Sequence, residues 1–285
     1  MSVQPRKQQK AYDHILWQDS NLTIGTFTAR PLFSDFNNTG PAQGHLLVFA
    51  NHPVIINKRN QRYIANHNTV MFYNRGDEYT REALSEEGDF AHWIRLSRVA
   101  LDGFNGLCGI DSQNFNPFQS SQVNSNNKIF WLQKQLFKLL ETYPKLESLI
   151  VYELVAQIVE QVVDQNAGKH SVSIKQKKHI LSSVDYISRC YRENINLEQL
   201  AKESCLSPFH LCRVFKKFTG FSIHQYIINL RLKEALNEVC DSQKSLSDIA
   251  LDLNFSSHSH FSSIFKREYG VSPKKLRIDS CLPIK

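Results

Sequence analysis

The sequence predicts an α+β protein in two parts: a β-rich first part followed by helices, and an all-α last part. Three observations predict it. Over about the first 100 residues, short β-branched and aromatic runs alternate with turn residues. From residue 128 onward, apolar residues recur at helical spacing. Near the carboxyl end, a stretch of 16 residues occurs twice.

The strands are read first. "LTIGTFTAR" (22–30), "HLLVFA" (45–50), "PVIINK" (53–58), "TVMFYN" (69–74) and "FAHWIRLS" (90–97) are rich in β-formers. Clusters such as "SDFNNTGPAQG" and "NRGDEY" separate them as turns. Many short strands predict a small barrel or a sandwich. Phe49, Phe72, Tyr73 and Trp93 alternate along the strands and read either as core or as the lining of a ligand box. Residues 101–127, rich in Asn, Ser, Gln and Gly, read as a long loop.

The helices follow. "KIFWLQKQLFKLLETY" (128–143) carries Phe130, Leu132, Leu136, Leu139 and Leu140, and Pro144 interrupts it. "KLESLIVYELVAQIVEQVVDQ" (145–165) carries an apolar stripe so broad that it must be buried against the first helix or a second subunit. "NAGKHSVS" (166–173) reads as a linker, and everything after Ile174 as helices joined by short turns.

The bulk numbers narrow the function. No apolar run approaches the ~20 residues of a membrane span. The polar N-terminus lacks the apolar centre of a signal peptide. The six cysteines show no C-x-x-C spacing, which suits reduced thiols in a cytosolic protein. Residues 1–170 hold 16 basic and 16 acidic residues, whereas residues 171–285 hold 18 and 11, so the whole excess of +7 lies in the last part. That asymmetry points to a polyanionic partner for the carboxyl-terminal part.

The repeat sharpens the partner. Ser207–Ser222 ("SPFHLCRVFKKFTGFS") matches Ser257–Ser272 ("SHSHFSSIFKREYGVS") at an offset of 50, with 6 of 16 positions identical. Upstream the match continues at offset 49, with Leu200-Ala201 against Ile249-Ala250 and Leu206 against Phe255. Each copy reads as helix, tight turn, helix. In the second copy Ser245 caps the first helix with Asp248 at the capping-box position, Asn254 sits where the chain turns, and Ser257 caps the next helix.

On a wheel of ~100° per residue, Phe261, Ile264, Phe265 and Tyr269 share one face. Ser259, Ser263 and Lys266 point the other way, flanked by His260, Ser262 and Arg267. In the first copy Leu211, Val214, Phe215 and Phe218 point inward, and Phe209, Arg213 and Lys216 outward, flanked by His210 and Lys217. His258 and His260 diverge by ~200° on a helix and cannot chelate one ion, and no carboxylate is placed to orient either for catalysis. No catalytic residue, metal ligand or cofactor is therefore assigned. The small, polar, basic outward faces suit nucleic acid, since small side chains admit the helix to the bases and Lys or Arg meet phosphates and guanine edges.

The stretches "LAKESCLSPFHLCRVFKKFTGFS", "YIINLRLKEAL" and "SLSDIALDLNFSSHSHFSSIFKREYGVSPKKLR" closely resemble the AraC/XylS family of bacterial transcription regulators. The resemblance covers about Leu197 to Arg277. It implies a carboxyl-terminal all-α domain (174–285) of two helix-turn-helix subdomains joined by a long helix near Ile223–Val239. The second helix of each subdomain would enter the DNA major groove. The family usually has Gly where this chain has Asn254, which puts slight strain on the turn.

Carried over by position, Phe209, His210, Arg213, His258, Ser259, His260 and Ser263 would read bases. Ser207, Lys216, Lys217, Ser257, Lys266 and Arg267 would hold phosphate, with Lys274, Lys275 and Arg277 either doing so or solvating the end. Arg231 reads as a phosphate ligand or, preferably, a structural pair. The resemblance further implies a cupin-like barrel at 1–127 that takes a small-molecule effector of unknown identity, and a helical pair at 128–165 that makes a homodimer. Double-stranded DNA is the expected partner, with RNA polymerase as a further candidate, in a bacterial cytoplasmic, nucleoid-associated setting without membrane contact.

Competing readings are a metal-dependent cupin enzyme fused to a DNA-binding domain, a repair regulator with cysteine-ligated zinc, and a constitutive DNA binder without effector. The first lacks an H-x-H among His14, His45, His52, His67 and His92, and the second lacks cysteines, since Cys108 stands alone in the first 189 residues. Operator, effector, and activation versus repression stay open.

Overall fold

The computed structural model describes residues 11–33, 35–103, 114–143, 145–164 and 174–281, leaving aside the side chains of 38, 39, 163, 164, 174–176, 209 and 279–281. Cys108, Pro144 and the expected linker 166–173 lie outside the described residues. The chain divides into two compact units: Met1–Val123 with Leu136–Ala167, and Asn124–Gln135 with Gly168–Lys285. The division thus falls within a helix.

Among the described residues there are ten strands: β1 (Tyr12–Gln18), β2 (Leu22–Ala29), β3 (Asn38–Thr39), β4 (His45–Ala50), β5 (Val54–Lys58), β6 (Gln61–Ala65), β7 (Thr69–Tyr73), β8 (Tyr79–Ala83), β9 (Asp89–Leu96) and β10 (Gln122–Asn124). They form a six-stranded sheet in the order β1-β2-β9-β4-β7-β10 and a four-stranded sheet in the order β3-β8-β5-β6. The β1, β3, β6 and β8 strands were not anticipated: β3 lies in a stretch that reads as a turn, and "QRYIA" of β6 and "YTREA" of β8 carry charges where a half-buried strand shows apolar alternation.

The expected closed barrel is corrected to two open sheets, since among the described residues no ladder joins the sheets into one cylinder. The sheets share one core: Ala50, Met71 and Tyr73 of the larger pack with Val54, Ile56, Tyr63 and Ala65 of the smaller. Phe49 and Phe72 are core residues. Between the sheets lies a cavity of about 280 Å³ lined in part by Val48, Ile56, Met71, Tyr73, Arg81 and Trp93. Trp93 reaches it over Gly25, where a Cβ would stand 2.7 Å from the indole ring.

Helix α1 (Arg98–Asp102) follows β9, with Ser97 as its N-cap. Within the supposed loop 101–127, β10 pairs with β7. Helices α2 (Asn127–Thr142) and α3 (Ser148–Asp164) match the predicted pair. The stripe of α3 at Val151, Val155, Ile158, Val159 and Val162 is buried in the single chain and needs no second subunit to cover it.

The second unit holds α4 (Ile174–Cys190), α5 (Leu197–Glu203), α6 (Pro208–Thr219), α7 (Ile223–Asp241), α8 (Leu246–Asp252), α9 (His258–Tyr269) and α10 (Pro273–Cys281). The first turns of α2 belong to it as well. Phe130 sits in a core with Ile228, Leu232, Leu236, Ile249, Phe261 and Phe265. Burying such a ring contributes about 2–3 kcal/mol. Around it, Asn127 Nδ2 donates to Asn229 Oδ1 and Glu268 Oε2, Lys134 pairs with Asp241, and Asn124 Nδ2 donates to the Thr219 carbonyl. Lys233 is fully buried on α7, and its ammonium donates to the Ser125 carbonyl. Burial holds that ammonium well below the ordinary lysine value.

The helix α7 begins with a full capping box between Ser222 and Gln225 and carries Arg231 at its middle. Arg231 is 9% exposed. Its Nε donates to the Tyr191 carbonyl, Nη1 to that of Asn254 and Nη2 to that of Glu193, each at 2.7 Å. The structural alternative read from the sequence is the one observed.

Candidate nucleic-acid interface

The same local plan occurs twice in the second unit: α5, turn, α6, and α8, turn, α9. The turns agree bond for bond. In the first, the amides of Ser204, Cys205 and Leu206 donate to the carbonyls of Leu200, Lys202 and Ala201. In the second, Leu253, Asn254 and Phe255 donate to Ile249, Leu251 and Ala250. Both turns pass through a left-handed residue, Cys205 at φ 52° and Asn254 at φ 53°. Asn254 was placed there from sequence; Cys205 was missed, although the offset of 49 maps one onto the other.

The helices after the turns are delimited alike. The Ser207 hydroxyl accepts from the His210 amide at 3.4 Å, and the Ser257 hydroxyl from the His260 amide at 3.0 Å. At the far ends Gly220 and Gly270 adopt φ 76° and 74°, and their amides return to the Lys216 and Lys266 carbonyls. Leu211, Val214 and Phe215 are buried on α6, and Phe261, Ile264 and Phe265 on α9. The inward stripes are those that the wheels predict.

The outward faces carry the residues singled out from sequence. On α6, Arg213, Lys216 and Lys217 are exposed and His210 is half-buried, with its Nδ1 3.4 Å from Arg213 Nη2. The side chain of Phe209 lies outside the described residues. On α9, His258, Ser259, His260, Ser263, Lys266 and Arg267 are exposed. Each histidine of α9 faces a serine: His260 Nδ1 is 2.9 Å from Ser256 Oγ, and His258 Nε2 is 3.5 Å from Ser262 Oγ.

Ser207 and Ser257 serve as caps, yet a capping hydroxyl accepts and retains its own proton to donate. Arg267 is engaged by Glu268 through Nε and Nη2, at 3.1 and 3.0 Å. Arg277 turns inward and donates to the carbonyls of Val239 and Lys244, so it closes the fold rather than solvating its end. Cys205 and Cys212, read as parts of apolar patterns, are exposed thiols.

Among the described residues no three His, Cys, Asp or Glu side chains stand close enough together to hold a metal ion. Among them, too, no helix is long and apolar enough to cross a membrane. The chemistry that the outward faces offer is donation by cations, hydroxyls and imidazoles from two short, capped helices.

A family model described as a helix-turn-helix domain matches residues 200–278, which span both copies of the repeat. The HTH-type transcriptional activator RhaS of Yersinia pestis bv. Antiqua (strain Angola) is 26% identical over 239 residues, covering 81% of each chain. Among solved structures, an AraC-type transcriptional regulator from Chromobacterium violaceum is 25% identical over 39% of this chain and 100% of its own, with a TM-score of 0.36. The DNA-binding domain of AdpA, solved with a target DNA, is 23% identical over 38% of this chain and 93% of its own, with a TM-score of 0.32. The matched domain and the duplicated capped helices agree: residues 200–278 carry a helix-turn-helix domain, and the chain is similar over most of its length to an HTH-type transcriptional activator.

Proposed function

We propose that the chain is a transcription activator that lays α6 and α9 into successive major-groove segments of one duplex. The observation that carries this reading is the twin geometry: two helices with matching caps, matching turns and matching buried stripes, each leaving a polar, basic face exposed. The carboxyl-terminal domain is then a double helix-turn-helix.

Arg213 is the best placed side chain for a bidentate bond to guanine. His210, His258, Ser259, His260 and Ser263 contact base edges, with Phe209 beside them. Ser207, Lys216, Lys217, Ser257 and Lys266 hold phosphates, and Arg267 joins them by exchanging Glu268 for phosphate. Lacking an arginine in its outward first turns, α9 discriminates less than α6.

The first unit is read as a cupin-like regulatory domain at 1–127, whose intersheet cavity takes a small-molecule effector. The helices of 128–165 make a homodimer through surface outside the buried stripe of α3, such as exposed Leu149 and Ile150. RNA polymerase is the partner through which bound protein activates.

Footprinting on bound genomic sites tests the reading. It should show two protected major-groove segments per chain, about 10 base pairs apart. Inserting about five base pairs between them turns the second segment to the opposite face of the duplex and should abolish its protection. Undiminished protection of both segments after the insertion would overturn the two-helix reading.

A further inference from the structure

The cavity between the two sheets carries charge. Four ionic side chains line it: Asp13 on β1, Arg81 on β8, and Asp89 and Arg95 on β9. The rest of the lining is mostly apolar, including Leu46, Val48, Val54, Ile56 and Met71. Arg81 is the most enclosed of the cations, at 3% exposure. Its guanidinium lies 4.2 Å from the ring centroid of Phe27, and its Nε stands 3.2 Å from Asp89 Oδ2. Its Nη1 has no hydrogen-bond partner among the described residues. A buried guanidinium N–H left without an acceptor costs roughly 1–3 kcal/mol or more, so the site favours whatever supplies one.

We infer that this cavity takes a small organic acid, its apolar body among Val48, Ile56 and Met71 and its carboxylate accepting from the guanidinium of Arg81. Three features select that class. An ionised acceptor makes the stronger bond to a guanidinium, and arginine presents its donors in a planar fork matched to carboxylates. The apolar lining suits a hydrocarbon body. A volume of about 280 Å³ lies at the small end of ligand pockets, excluding large ligands. The charges already present do not block an anion. Burial pushes the carboxyls of Asp13 and Asp89 above their ordinary values against the pull of Arg81, so an entering carboxylate competes with groups that hold their charge weakly.

This inference rests on the regulatory reading of the first unit and is tested apart from it. Phenylacetate and phenylacetamide have nearly the same shape and differ in charge. Calorimetric titration of the full chain should give a dissociation constant at least tenfold lower for the acid. The double variant Arg81→Gln/Asp89→Asn removes the intersheet ion pair as a unit, leaving neither partner as a lone buried charge. It should weaken the acid at least tenfold and leave the amide within twofold. Equal binding of acid and amide by the natural chain, or no binding of either, overturns the inference without reference to any variant. Operator affinity with and without phenylacetate separates the two readings. An acid that binds with Arg81 dependence but leaves operator affinity unchanged keeps the site and removes its regulatory role. A bound amide that shifts operator affinity, beside an inert acid, keeps the regulation and removes the anion.

Discussion

Replacing Arg231 by methionine should unfold the second unit more readily without changing how the protein senses salt on DNA. The side chain makes three charge-assisted hydrogen bonds of 2.7 Å to the carbonyls of Tyr191, Glu193 and Asn254. Bonds of this kind contribute about 1.5–3 kcal/mol each, but three from one side chain do not add independently. Methionine keeps the stem and leaves three carbonyls without their donor. The expected loss is therefore about 3–5 kcal/mol, comparable to breaking a buried charged pair. Two of those carbonyls come from the segment between α4 and α5 and the third from the turn before α9, so α7 would lose its hold on both at once. Urea unfolding of the natural and variant chains reads the loss, and DNA titrations at several salt concentrations read the rest. Affinity should fall on every sequence alike, with an unchanged salt slope. A variant within about 1 kcal/mol of the natural chain, with a slope smaller by about 1, would refute the structural role and make Arg231 a phosphate ligand.

Arg213→Ala should cost about 1–3 kcal/mol at one base position, measured on a panel of single-base operator variants; equal loss on all sequences would contradict base reading. Lys217→Ala should weaken binding broadly and reduce the slope of log affinity against log salt by about 1, and an unchanged slope would count against phosphate contact. Cys205→Gly should stabilise the chain by about 1 kcal/mol in urea unfolding, since a left-handed φ of 52° strains any residue with a Cβ; a destabilised variant would show that the thiol packs.

The carboxyl-terminal repeat was legible because its punctuation is local. Serine caps, a glycine after each helix and a turn at constant offset are chemical requirements of the backbone, and they recur at Ser207 and Ser257, Gly220 and Gly270. Where tertiary packing decides, the sequence was mute. Phe130 and Leu136 lie on one helical pattern, yet the first belongs with the second unit and the other with the first. Arg231 reads as a phosphate ligand or a structural pair and Lys233 is not singled out, and the burial of both follows from neighbours distant in sequence. Alternating strands look the same in a closed barrel and in two open sheets, because period two records only which side of a strand is dry. At the interface, the inward stripes were readable from the wheels. The serine partners of the histidines and the pairing of Arg267 with Glu268 were not singled out.

The placement of Phe130 sets an order of events during synthesis. It enters a core with Leu232 and Leu236, which leave the ribosome about 100 residues later. At ~5–20 residues per second, Phe130 waits roughly 5–20 s before those partners exist. The carboxyl-terminal module is thus a late-closing structure with a nonlocal seam, and closure over so long a loop slows its formation. A fragment begun at residue 174 would lack the ring that fills this core, and a nascent chain stalled before Leu232 would leave it exposed to the chaperones that recognise apolar surface.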